Sequence, residues 1–363
     1  LYKFYRRKLQ VCGKKKVNKK IVFSELYFMT AYARVGGILN PGISLAGGEY
    51  QITKPLGQGG FGITYQGIDT KLNRPVAVKE FFPEGCWRQG TTVISAGRWN
   101  RDTYSDAKQQ FLQEGQTLGQ FNHPGIVRVF YYFEENNTAY MVMEYLQGQT
   151  LGKLLKLRGG KLPEAEALTY IEKVGRALEV LHQARCLHRD IKPENIMLTA
   201  KGRVVLIDFG AARDFTSKNS ARFTMMLTPG YAPLEQYGQA LRYGAFTDIY
   251  ALGATFYHIL TGQIPVSAVE RAAGVELKTA NELNPQISPH ISEAIRQAMA
   301  MNVSDRLQSV KEFLDLLLIK TPKLKLISNR PKFYSSFKDP WSAFNHSQTS
   351  QKSNSRLDNN PWF

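Results

Sequence analysis

HRDIKPEN (188–195), IMLT (196–199), AKGR (200–203), VVLI (204–207) and DFG (208–210) follow one another without a gap and decide how the chain is read. Two short apolar runs around a Lys-Gly turn predict a β-hairpin. Asn195 precedes its first strand and Asp208 follows its second, so both lie at the open end. A side-chain amide and a carboxylate held together there are oxygen ligands suited to Mg²⁺, which keeps phosphate oxygens and water in its shell. Asp190 lies just upstream at the same end. Singly, each of these residues reads as a turn or a cap, and a lone Asp-Phe-Gly reads as a loop. As an ordered set they supply a base for an incoming hydroxyl, cations for phosphates and metal ligands, the parts that metal-assisted phosphoryl transfer requires.

Upstream, LGQGGFGITY (56–65) carries Gly57, Gly59 and Gly62. Glycines let a backbone turn sharply and approach phosphates closely. The spacing alone serves dinucleotide sites and ordinary turns equally well. Here QITKP precedes it and ITYQGI follows, both strand-like, and no helix opens at Gly62 as a Rossmann crossover demands. Strand–loop–strand predicts a flap over a nucleotide.

PVAVKEF (75–81) predicts a strand with Val76 and Val78 on one face and Ala77 and Lys79 on the other. Alone, a strand lysine is usually a solvated edge charge. The segment 105–121 predicts a helix capped by Ser105, with Ala107, Phe111, Glu114 and Leu118 on one face. A carboxylate turned inward needs a cation, because an unpaired buried charge is costly. Lys79 is the expected partner of Glu114.

With these motifs in order, the chain resembles the protein kinase superfamily from about Tyr50 to Leu317, and its bacterial serine/threonine branch in particular. GQGGFGITY and KEFFP look cyanobacterial. The resemblance implies an α+β, two-lobed fold: a small, mainly β lobe with one key helix and a larger, mainly α lobe. It implies ATP and Mg²⁺ as cofactors. Lys79 and Glu114 would form the activating pair, Asp190 would accept the substrate hydroxyl proton, and Lys192 would neutralise the moving phosphoryl group. Asn195 and Asp208 would hold Mg²⁺, and Thr228 in TPGYAPLE would lie near Asp190. Leu56, Gly57, Gln58, Gly59, Gly60, Phe61, Gly62, Ile63 and Thr64 would cover the nucleotide. Ala77 and Met197 would sandwich adenine, with Met143 as gatekeeper and the backbone near Glu144 and Leu146 meeting the purine edge. Leu118, Val129, His188 and Phe209 match a stack that locks the active state, or plain core packing. Asp248 matches an acid that braces the catalytic loop, and Glu235 and Arg306 a structural ion pair.

The activity so implied is that of a serine/threonine protein kinase acting on protein hydroxyls, with self-phosphorylation in trans. The alternative is a pseudokinase scaffold that binds nucleotide and partners without turnover. Thr216, Ser217, Ser220 and Thr224 lie between DFG and Thr228; Thr224 is the first candidate for autophosphorylation and Ser220 the second. Thr64 and Leu307 depart from the family pattern, as does the proline of APLE (232–235), without removing a catalytic group. The stretch 81–104, with two tryptophans and three arginines, lengthens the Lys79-to-Glu114 connection. It reads either as a lineage-specific loop packed on the small lobe or as a docking surface.

The net charge of +17 suggests a nucleic-acid binder until it is located. Residues 1–35 carry +9 and residues 320–363 carry +6, leaving +2 for the rest. The domain plan is therefore a basic, disordered extension (1–48), a kinase domain (49–317, lobes 49–145 and 146–317) and a basic polar tail (318–363). The tails could attract an anionic partner or be solvated arms. No apolar run reaches the length of a membrane span. Three dispersed cysteines suit a reduced, cytoplasmic protein, and no Cys/His spacing suggests zinc.

Overall fold

The computed structural model describes residues 37–318 except 96, 98, 210–212, 215–226 and 239–242. Thr216, Ser217, Ser220 and Thr224 fall outside the described residues, as do most of both basic tails.

In the small lobe, β1 (Ser44–Leu45), β2 (Tyr50–Gly59), β3 (Gly62–Asp69) and β4 (Arg74–Phe81) are followed by a separate hairpin, β5 (Trp87–Gln89) with β6 (Thr92–Ile94). Helix α1 (Arg101–Leu118) comes next, then β7 (Val129–Glu135) and β8 (Thr138–Glu144). Six of these strands form one antiparallel sheet in the order β1-β2-β3-β4-β8-β7. Alternation in β4 is as predicted: Val76 and Val78 are fully buried on one face while Lys79 lies on the other.

Two boundaries differ from the sequence expectation. Residues 37–48, assigned above to the extension, are part of the lobe: Leu39 and Leu45 are buried, and Leu45 pairs with Tyr50. Besides those two leucines, the segment is anchored by Leu39 N donating to the Tyr65 hydroxyl (3.1 Å) and by Arg88 Nε donating to Gly37 O (2.8 Å). Helix α1 begins at Arg101 rather than after Ser105, because Asn100 caps it, its side-chain oxygen accepting from Thr103 N. Tyr104 in the first turn is buried, so the apolar face starts a turn earlier than the periodicity from Ala107 suggested.

The large lobe holds β9 (Gly148–Thr150), α2 (Leu151–Leu157), α3 (Glu164–Gln183), β10 (Cys186–Leu187), β11 (Ile196–Thr199), β12 (Val204–Leu206) and β13 (Arg213–Asp214). Helices α4 (Ala245–Thr261), α5 (Ala268–Ala272), α6 (Ala280–Leu283), α7 (Pro289–Ala298) and α8 (Val310–Leu317) complete it. The predicted hairpin is β11–β12, and β9 pairs with its outer side. Gly148 makes that pairing possible: a Cβ there would lie 2.0 Å from Leu198 O. Helix α4 is buried nearly all round, as its apolar sequence requires, and ends at Gly262 in the left-handed conformation. Among the described residues no helix is long and apolar enough to cross a membrane.

Candidate active site

The loop between β10 and β11 is held from below by Asp248 of α4, which is fully buried. Its Oδ2 accepts from His188 N (2.9 Å) and faces His182 Nε2 (2.8 Å), while Oδ1 accepts from Arg189 N (2.8 Å). Burial pushes the Asp248 carboxyl up, but His182, His188 and the Arg189 amide more than offset this and hold it below its ordinary value. Arg189 sits at φ 63°, a left-handed conformation rare for a residue with a side chain. His188 receives the Asp190 N–H at Nδ1 (3.3 Å) and donates from Nε2 to Ile207 O (3.2 Å). Burial lowers its pKa, so the ring is neutral and both nitrogens serve the backbone.

Three side chains converge on Asp190, among them Thr228, which the resemblance places near it. Lys192 Nζ donates to both its carboxylate oxygens (3.0 and 2.8 Å) and to Thr228 Oγ1 (2.8 Å). The Thr228 hydroxyl donates to Asp190 Oδ1 (3.1 Å). Asn195 Nδ2 donates to Asp190 O and Oδ2, both at 2.8 Å. A hollow beside Asp190 is bordered by Leu227, Thr228 and Tyr231.

Across the cleft, Lys79 Nζ lies 3.6 Å from Glu114 Oε1 and 3.0 Å from Asp208 Oδ1. Burial alone would lower the lysine's pKa; Glu114 first and Asp208 second raise it above its ordinary value, so it stays charged. The Lys79 charge in turn holds Asp208 below the usual carboxylate range. Asp208 takes φ 58°, and half its side chain is exposed to the cleft. Phe209 behind it is buried against His188, ring centroids 4.4 Å apart, and Leu118 and Val129 are buried as well.

Asn195 and Asp208 are joined through the backbone, Ile207 N donating to Asn195 O (3.0 Å). With its amide nitrogen committed to Asp190, Asn195 presents its oxygen as the remaining ligand. Among the described residues no cluster of three or more His, Cys, Asp or Glu could hold a metal unaided. One amide oxygen and one ionised carboxylate fit a hard cation that brings phosphate and water oxygens with it.

The glycines of the flap divide into two kinds. A Cβ at Gly57 or Gly59 would meet nothing, whereas one at Gly62 would lie 2.4 Å from Glu80 O. Gly62 is thus required by the close approach of β3 to β4, and Gly57 and Gly59 leave the space beside the flap open. Phe61, Gly60 and Gln58 lie at or near the tip, and Leu56 is exposed at its base. Thr64 pairs with both Gly57 and Lys79. Ile63, grouped above with the nucleotide-covering residues, is fully buried on the opposite face with Tyr65, so only its backbone faces the flap. Ala77 and Met143 are cross-strand partners, and Met197 and Leu146 are half-buried at the core's edge. Glu144 is tied down from both sides. Its amide donates to Arg128 O (2.9 Å), and its carboxylate takes the Arg203 guanidinium on two oxygens (2.8 and 3.0 Å).

Sequence reasoning missed Glu80. Fully buried beside Lys79 but on the other face, it accepts from Arg88 Nη2 (2.6 Å) and from the hydroxyls of Tyr65 and Tyr140 (2.9 Å each). The signal was present: alternation puts residue 80 with Val76 and Val78.

Comparison with known proteins agrees with this geometry. Residues 50–341 match the protein kinase domain model. Serine/threonine-protein kinase PknA of Mycobacterium tuberculosis is 31% identical over 298 residues, covering 80% of this chain and 61% of that protein. Serine/threonine-protein kinase B of Synechocystis is 31% identical over 287 residues, covering 76% of this chain and 47% of that protein. The chain thus spans about half to three fifths of the length of these relatives. Among solved structures, the apo form of PpkA-294 superimposes with a TM-score of 0.69 at 32% identity, covering 77% of this chain and 99% of that one. The PknI kinase domain of M. tuberculosis shares the fold at a TM-score of 0.61 and 23% identity, over 77% of this chain and 97% of that one. The chain belongs to the protein kinase family.

Proposed function

We propose that this protein transfers the γ-phosphoryl group of ATP to serine and threonine hydroxyls of proteins, itself included, as a cytoplasmic signalling kinase. The observation that carries this reading is the convergence of Lys192, Thr228 and Asn195 on the Asp190 carboxylate, opposite a Lys79 that reaches both Glu114 and Asp208. Asp190 accepts the proton of the attacking hydroxyl, and Lys192, already beside it, carries positive charge to the transferring group. Thr228 fixes the Asp190 carboxylate by its hydroxyl. Lys79 binds nucleotide phosphates and is kept in place by Glu114. Gly57 and Gly59 leave room for those phosphates, while Ala77, Met143, Met197 and the backbone at Glu144 and Leu146 border the adenine. Asn195 and Asp208 would hold Mg²⁺, which would supply neutralisation of the charge on the phosphates.

Each position that a pseudokinase scaffold would lack is occupied by a residue able to do the chemistry, so turnover is the better-supported reading. The test is incubation with γ-labelled ATP and Mg²⁺, wild type beside Asp190→Asn, with the labelled residues mapped. Label on wild type alone, at serine or threonine, is the expected result. Tight Mg·ATP binding without transfer to itself or to added protein substrates would replace this reading with the scaffold.

A further inference from the structure

Phosphoryl-transfer geometry accounts for neither the hairpin β5–β6 nor the tryptophan that follows it, yet the stretch from Phe82 to Trp99 that carries both is fastened to the small lobe at three places. At the flap, Phe82 N donates to Phe61 O (3.0 Å) and Glu84 N to Gly60 O (2.9 Å). At the β7–β8 turn, Val93 N donates to Asn136 O (2.8 Å) and Asn137 Nδ2 to Val93 O (2.8 Å). At the start of α1, Trp99 is only 6% exposed, its indole N–H donating to Glu84 O (2.8 Å). Its ring stands edge-on to Phe81, centroids 6.4 Å apart, and the next residue, Asn100, caps α1.

Beyond the cap the contacts continue into the helix. Tyr104 donates its hydroxyl to Asn137 O (2.9 Å) and packs on Phe81 (5.4 Å), which also touches Phe111 of α1 (5.8 Å). Phe111 lies one turn before Glu114 and its ring is 5.9 Å from Lys79 Nζ. Beneath the hairpin, Arg88 spans Glu80, Thr91 O (2.7 Å) and Gly37 O (2.8 Å), so β4 and the N-terminal segment are drawn into the same assembly.

The placement of α1 decides whether Glu114 reaches Lys79. At 3.6 Å the pair has little slack against the ~4 Å reach of an ion pair. Edge-to-face aromatic contacts and a satisfied indole N–H are directional, so they fix the position of the helix as well as bury area. We propose that hairpin β5–β6 together with Trp99 is a built-in brace that holds α1 where Glu114 meets Lys79, and that Trp99 is a positioning residue for phosphoryl transfer. The proposal rests on the reading of this site as a phosphotransferase. The described part of 81–104 is packed on the small lobe, as the first of the two sequence readings expects, and the brace gives that packing a role.

The test is a double-mutant cycle between Trp99→Leu and Glu114→Gln, with kcat and KM for ATP measured on the full chain. Trp99→Leu is expected to lower kcat on the order of tenfold, an effect within the usual range for coupled neighbours. Trp99→Phe, which keeps an aromatic edge on Phe81, restores most of it. In the Glu114→Gln background the Trp99→Leu loss vanishes, because Trp99 acts through Glu114. A loss of equal size in both backgrounds, or none in either, overturns the proposal. If Trp99→Leu shows no cooperative unfolding transition, Tyr104→Phe takes its place. It deletes one hydroxyl bond, with an expected fall in kcat of about threefold, again confined to the wild-type background. Should wild type prove inactive, the functional reading fails, and amide exchange decides the brace separately: exchange across 101–118 must be faster in Trp99→Leu than in wild type.

Discussion

Asp248→Asn probes the foundation of the catalytic loop. The native carboxylate serves three donors: His188 N and His182 Nε2 on Oδ2, and Arg189 N on Oδ1. Asparagine can keep one oxygen toward the first two, but then turns its NH₂ toward the Arg189 N–H, donor against donor. Hydrogen bonds to a buried charged group contribute about 1.5–3 kcal/mol each, and the substitution removes one outright while neutralising two, so the expected destabilisation is about 3–5 kcal/mol. The consequence is local as well as global. Arg189 is held at φ 63° partly by the bond that is lost, and Asp190 follows it directly. Relaxation there displaces the Asp190 carboxylate, and a misplacement on the order of 1 Å costs about 100-fold in kcat. Urea denaturation gives the first quantity, and steady-state transfer to a serine peptide gives the second. A variant within about 0.5 kcal/mol of wild type and undiminished in kcat would refute the claim that Asp248 sets this loop.

Three further outcomes follow from particular contacts. His188 is buried and neutral, so below its unfolded pKa of about 6.5 the unfolded chain binds a proton that the folded state refuses. Stability therefore falls as pH drops through that value, by at most about 1.4 kcal/mol per pH unit for this group, until the folded pKa is reached. His123 and His258, also lowered by burial, act in the same direction. Urea midpoints that stay flat from neutral pH to pH 5 would contradict this. Gly148→Ala forces a Cβ to within 2.0 Å of Leu198 O and must part β9 from β11. It should cost about 2–3 kcal/mol in a thermal or urea melt. Arg306→Leu strands Glu235, whose Oε1 lies 2.6 Å from the guanidinium in a fully buried pair. The expected loss is about 3–5 kcal/mol, and adding Glu235→Gln should recover part of it; no recovery would point to lost packing instead.

The candidate site was legible because its residues are concentrated in short segments. Asp190, Lys192, Asn195 and Asp208 fall within one hairpin and its approach, so their meeting is largely local geometry. Lys79 and Glu114 were legible for another reason: alternation and helical period each pointed one charged residue inward, and inward charges need partners. What stayed hidden depends on contacts between distant segments. Leu39 donates its amide to the Tyr65 hydroxyl (3.1 Å), a bond across 26 positions that draws residues 37–48 into the small lobe. The Glu144–Arg203 pair spans 59 positions between β8 and the β11–β12 turn. The true start of α1 was misplaced because Ser105 and Asn100 are both competent caps. Burial of Trp99 and Tyr104, invisible to periodicity, decides between them. Ile63 was grouped with the flap by motif position, although the period of two puts its side chain with Tyr65 in the core.

The most direct measurement of the central claim is single-turnover transfer from Mg·ATP to a serine peptide by wild type, Asp190→Asn and Lys192→Met, with ATP affinity measured alongside. General-base catalysis contributes about 10²–10⁴-fold, so both variants should bind ATP within about threefold of wild type and transfer at least about 100-fold more slowly. Transfer at the wild-type rate by either variant, with binding intact, would contradict the assignment of Asp190 and its neighbours as the reacting centre.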